Sequence, residues 1–123
     1  MSAVQAQSLT APQVLSVQQV ERGNEVELTL HVPAQLCWFE GHFPGVPLLP
    51  GVVQTAWVVE FAHRYFRLPP HFRYMSNLKF MRLIRPDATV MLWLRHDEDR
   101  REVAFEYRDA GRVCASGRMG FGE

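Results

Sequence analysis

Residues 37–66 read CWFEGHFPGVPLLPGVVQTAWVVEFAHRYF, and the change of pattern inside this stretch decides the fold. Pro44, Pro47 and Pro50 recur at every third position. Each proline fixes φ near about −65° and removes a backbone donor, so the segment before Gly51 reads as a stiff, extended loop. From Gly51 there is no further Pro or Gly until Pro69, and Val52, Val53, Ala56, Trp57, Val58, Val59, Phe61, Ala62, Tyr65 and Phe66 predict a helix over 52–66. A helix this apolar must be covered on most sides. His42 stands in the loop between Gly41 and Phe43, just before the helix start. Free N–H groups and the positive end of the dipole favour a bound carbonyl there.

On either side of this stretch the chain reads as strands. Val26, Leu28, Leu30 and Val32 alternate with Glu27, Thr29 and His31, a period of two with one buried face and His31 on the exposed side. A first strand is expected over 14–20, and residues 1–11, rich in Ser, Ala and Gln, are expected to be loose. After Leu68-Pro69-Pro70 stops the helix, strands are expected over 74–84, 89–96, 101–108 and 112–121. Turn signals separate them at Arg85-Pro86-Asp87, at 97–100 and at Asp109-Ala110-Gly111, which predicts an antiparallel meander. With about six strands and one apolar helix, the natural arrangement is a curved antiparallel sheet wrapped round the helix, a single α+β domain over 1–123.

Composition narrows the function classes. The 123 residues carry 47% apolar side chains, 21% charged ones and no formal net charge, which does not suggest a polyanion-binding surface or nucleic-acid partner. Twelve of the thirteen basic residues are Arg, Lys79 being the exception, and arginine suits phosphate and carboxylate recognition. Cys37 and Cys114 are far apart with no paired-ligand spacing, so buried free thiols are expected and no metal site. The opening MSAVQAQSLTAP has no basic region followed by an apolar run, and no stretch approaches a membrane span. Residence in the cytoplasm is the expectation.

The run GHFPGVPLLPGVV resembles the loop-and-helix signature of the FabZ and FabA type 3-hydroxyacyl-acyl-carrier-protein dehydratases, which have the hotdog fold. With PLLPGVVQ-x-x-W and LKFMRLIRPDATV added, the resemblance is closest to the ApeI-like dehydratases of aryl polyene and xanthomonadin pigment clusters, and it covers about 14–121. It implies that His42 is the base removing the α-proton of a 3-hydroxyacyl thioester, and that the Gly51 N–H polarises the thioester carbonyl. Phe43, Gly45, Pro50, Val52, Gln54, Ala56 and Glu60 would line the acyl site. In FabA-like relatives the link corresponding to His42–Phe43 can be a cis peptide. No metal or organic cofactor is implied; the acyl group would ride on the phosphopantetheine of an acidic carrier protein. Arg64, Arg67, Arg73, Arg82 and Arg85 are candidates for docking that protein.

One position departs from the family. Fourteen residues after the loop histidine the relatives carry Asp or Glu, which assists departure of the hydroxyl as water, and this chain has Ala56. Glu60, the only carboxylate on the helix, follows one turn later, where relatives commonly carry Gln. It could reach the leaving hydroxyl through a water, or pair with Arg64 at i, i+4 spacing. Gln54 and His63 are further polar positions on the helix. Three functions follow from these residues: a dehydratase slowed by the missing acid, a non-catalytic acyl-binding subunit of a dehydratase heterocomplex, and a hotdog thioesterase. The last is disfavoured, because hydrolysis in that fold generally wants the same carboxylate. The resemblance further implies a homodimer or higher oligomer, with pairing to a related hotdog subunit as the alternative that would restore a carboxylate.

Overall fold

The computed structural model describes residues 10–20, 23–36 and 48–123. Alternation builds the sheet. In β2 (Glu25–His31) Val26, Leu28 and Leu30 are fully buried, and their neighbours are half-buried. The same period runs through β4 (Thr89–Asp97) with Val90, Leu92 and Leu94, and through β5 (Glu102–Asp109) with Val103, Phe105 and Tyr107. β6 (Arg112–Gly122) adds Cys114, Ala115, Met119 and Phe121 to this inner face. Against it lies the helix α1 (Gly51–Tyr65), burying Val53, Trp57, Val58, Phe61 and Ala62. Burial of apolar surface at roughly 25 cal/mol per Å² makes this one contiguous core the main source of stability.

With β1 (Gln13–Gln19) and β3 (His71–Phe80), the sheet has the order β1-β2-β4-β5-β6-β3, every neighbouring pair antiparallel. This is the single α+β hotdog domain that the sequence implies. The expected meander of four strands is corrected, since only β4, β5 and β6 follow one another. β3 pairs with β6 at the far edge, and β2 takes the place beside β4 through seven residue pairs. The link over 81–88 carries the chain back across. Met81 and Arg82 donate their N–H groups to the Cys114 carbonyl, and Leu49 N–H donates to Ile84 O at 2.8 Å. Those bonds also explain why β3 ends at Phe80 rather than Ile84.

The two-residue turn Ala110-Gly111 joins β5 to β6 with φ of 51° and 78°. Positive φ at both positions matches the right-handed twist of the hairpin. The edges differ from the middle. β1 is exposed along its whole length, and on β3 Phe72, Tyr74, Met75, Leu78 and Phe80 are all exposed. His31, expected on the open side, is half-buried, with its Nδ1 3.1 Å from Gln13 Oε1 and its Nε2 3.4 Å from Asp87 Oδ1.

Candidate active site

The start of α1 is built from the proline-rich run. Pro50 is the extended N-cap, and its carbonyl accepts the N–H groups of Val53 and Gln54. A proline side chain caps nothing, so the N–H groups of Gly51 and Val52 face whatever lies beyond the helix end. Gly51 also admits a neighbour. A Cβ there would come within 2.7 Å of the Phe80 ring, so glycine lets the end of β3 pack directly on the first turn.

Gln54 turns inward. It is 3% exposed; its Nε2 donates to Leu49 O at 3.1 Å, and its backbone carbonyl accepts the Tyr107 hydroxyl at 2.7 Å. Its Oε1 has no hydrogen-bond partner among the described residues. Burial pushes the Tyr107 phenol above its ordinary value, which keeps it a proton donor to that carbonyl. Thr55 is likewise buried, with Oγ1 donating to Val52 O. Gln54, a candidate for lining the acyl site, is thus a buried side chain of the helix start. Position 54 falls on the buried arc with Trp57, Val58 and Phe61, three, four and seven residues on.

The outward stripe is Val52, Ala56, Glu60, His63 and Arg64, all exposed. Along it runs a hollow of about 480 Å³ lined by Thr10, Ala11, Val52, Val53, Ala56, Trp57 and Glu60. Thr10 and Ala11 form its far wall because the Trp57 indole donates from Nε1 to the Thr10 carbonyl at 3.2 Å. The Thr10–Ala11 wall was not singled out from the sequence, and Trp57 was read only as a helix and motif residue. The signal was the helix's one indole, a group that usually finds an acceptor when buried. Val52 is 75% exposed, so the mouth of the hollow at the helix start is open.

The structure thus brings Val52, Ala56 and Glu60 together on one concave surface, with Gly51 and Pro50 at its end, and sends Gln54 to the core. His42, Phe43 and Gly45, the His42–Phe43 link and Cys37 lie outside the described residues. The Glu60–Arg64 ion pair is not formed. Arg64 lies instead over the Phe61 ring at 5.1 Å, and Glu60 makes no ion pair among the described residues. His63 packs edge-on against Phe121, away from the hollow.

Of the candidate docking arginines, Arg73 bonds the Glu123 carbonyl, whereas Arg82 and Arg85 border a notch of about 730 Å³ together with Arg112 and Asp109. None of those three arginines forms an ion pair with a described residue. Among the described residues no group of three or more His, Cys, Asp or Glu converges, and no helix is long and apolar enough to cross a membrane. Cys114 is buried, which raises its thiol above the ordinary value.

Residues 18–118 match the model of the ApeI-like family, described as ApeI dehydratase. Among solved structures the chain is similar to the dehydratase heterocomplex ApeI:P from Xenorhabdus doucetiae, with 28% identity and a TM-score of 0.81 over 89% of this chain and 96% of that one. It is similar to the 3-hydroxyacyl-[acyl-carrier-protein] dehydratase FabZ of Oenococcus oeni, 32% identical over 62 residues, 45% of each chain. To FabZ of Chloroflexus aggregans it is 33% identical over 79 residues, 58% of this chain and 55% of that protein. The matches thus span about half the length of these two curated relatives.

Proposed function

Because the chain belongs to the ApeI-like dehydratase family, we propose that it removes water from a 3-hydroxyacyl thioester carried on the phosphopantetheine of an acyl carrier protein, in aryl polyene or fatty acid assembly. The observation that carries this reading is the apolar hollow running along α1 from Val52, beside first-turn N–H groups that have no partner among the described residues, to Glu60. An acyl chain is apolar and its thioester needs a hydrogen-bond donor, and the hollow and the helix start offer these side by side. His42 takes the α-proton, since an imidazole titrates near neutrality, and the Gly51 N–H holds the carbonyl oxygen as charge develops on it. Chemistry of this kind calls for no cofactor. Arg82, Arg85 and Arg112 at the notch offer an anionic carrier protein a docking edge.

The test is direct. With a 3-hydroxyacyl carrier-protein thioester and the purified chain, intact-protein mass spectrometry should show loss of one water, and faster loss with Ala56→Asp. Silence in both proteins would sink the dehydratase reading. A specific observation favours a second reading: position 56, on the wall of the hollow, carries no carboxyl, and the similar ApeI:P structure is a heterocomplex. On that reading this chain binds acyl groups as the partner of a related hotdog subunit, and activity confined to Ala56→Asp would support it.

Assembly is the other part of the proposal. β3 is an edge strand with apolar residues exposed on both faces, continued by exposed Met81 and Leu83. An edge of this kind is a template for pairing with a second chain. We place a homodimer, or the heterodimer of the second reading, on this strand, in the cytoplasm. Leu78→Arg should convert the assembly to monomers in sedimentation velocity, and an unchanged sedimentation coefficient would remove β3 from the interface.

A further inference from the structure

Three observations converge on Glu60. It shares the hollow with Ala56, it forms no ion pair among the described residues, and the arginine one turn on is engaged with the Phe61 ring. Helix geometry adds the direction. Every Cα–Cβ bond in an α-helix tilts toward the N-terminus, so a long side chain covers the surface one turn before its own Cα. For residue 60 that surface is Ala56, where a methyl group leaves the space open. Thr10, Ala11, Val52, Val53 and Trp57 supply the remaining described walls, so among the described residues Glu60 is the one ionisable side chain that lines the hollow.

We propose that Glu60 is a catalytic residue of this chain, whose carboxyl, reaching back over Ala56, hydrogen-bonds the substrate's 3-hydroxyl and protonates it as it leaves. The proposal rests on the dehydratase reading. His42 takes the proton from C2, and the C2–H electron pair becomes the C2=C3 bond. The C3–O bond breaks, and the departing hydroxyl takes the Glu60 proton and leaves as water. The imidazolium proton returns to Glu60 through solvent after release, so atoms balance and no redox partner is needed. An acid in this role is typically worth about 10² to 10⁴ in rate. On this proposal the acid stands one helical turn further along the chain and reaches back over Ala56.

The experiment has a kinetic arm and a spectroscopic one, both on the full chain. Glu60→Gln keeps the shape and the hydrogen bond but removes the transferable proton, and residue 60 is exposed, so folding is not at stake. The expected result is a kcat lowered by about 10² to 10⁴ with KM within about threefold of the parent; a kcat within about threefold would overturn the proposal. In the second arm the side-chain carboxyl of Glu60 is followed by ¹³C NMR with 3-hydroxyacyl pantetheine and with its 3-deoxy counterpart. A shift with the hydroxy compound alone supports the contact, and an equal response to both, or to neither, overturns it. If the parent shows no turnover, the dehydratase reading fails by itself, and the NMR arm still decides whether Glu60 meets the 3-hydroxyl.

Discussion

Turnover by His42→Ala is expected to fall by about 10² to 10⁴, the range that a positioned general base supplies. No other histidine can take over the work. His31 is engaged with Gln13 and Asp87, His63 packs on Phe121, and His96 packs on Phe66. His71 opens β3 at the far edge of the sheet. The rate would be compared with the parent on the same carrier-protein thioester under single-turnover conditions, which separate chemistry from product release. The thermal midpoint of the variant would be measured beside the rate, so that loss of folding and loss of chemistry are told apart. Turnover within about threefold of the parent would take His42 out of the chemistry and leave the loop motif a structural one.

Phe105→Ala is expected to cost about 3–5 kcal/mol of stability, the range for emptying a buried aromatic site. The ring is 2% exposed, meets Tyr107 edge-on at 6.1 Å, and lies over Gly117, its direct partner on β6. A Cβ at Gly117 would sit 2.8 Å from Phe105 Cε2, so the backbone of β6 is itself one wall of the ring's site and does not collapse easily into the void. Against a total of about 5–15 kcal/mol for a domain, such a loss is a large fraction. Urea unfolding at fixed protein concentration should show a lower midpoint with an unchanged slope. A loss below about 1 kcal/mol would mean that the helix and sheet close over the gap, and that the core is softer than its burial implies.

Local periodicity made most of the fold legible, and the parts it could not supply share a cause. β2, β4 and β5 announced their inner faces by strict alternation, and the apolar α1 announced that something had to wrap it. Sheet order is a different kind of information. β3 follows the helix and precedes β4 in the chain, so adjacency was the simple reading, yet the link over 81–88 carries β4 away to β2. Nothing in a hydropathy pattern encodes that exchange. Which way Gln54 faces could not be read from a helix with so few polar residues, since they give no clear polar arc. Its inward side chain is held by Leu49 O, a tertiary contact only the fold reveals.

The site divides in the same way. Val52, Ala56 and Glu60 share a stripe by simple four-residue spacing, and the structure turns that stripe into a hollow by laying Thr10 and Ala11 alongside it. Glu60 and Arg64 had the spacing for an ion pair, but Arg64 also had an aromatic ring within reach, and spacing alone does not choose between two partners.

The first turn of α1 is fastened from three directions. Gln54 Nε2 bonds Leu49 O, Leu49 N–H bonds Ile84 O, and Tyr107, from the middle of the sheet, bonds the Gln54 carbonyl. Helix ends ordinarily fray at almost no free-energy cost and exchange their amide protons readily. Here the Val53 and Gln54 amides, bonded to Pro50 O beside these ties, are expected to exchange more slowly than those of an unfastened helix end, which hydrogen–deuterium exchange would measure. The end of the helix that would receive a substrate is thereby expected to be its slower-exchanging end.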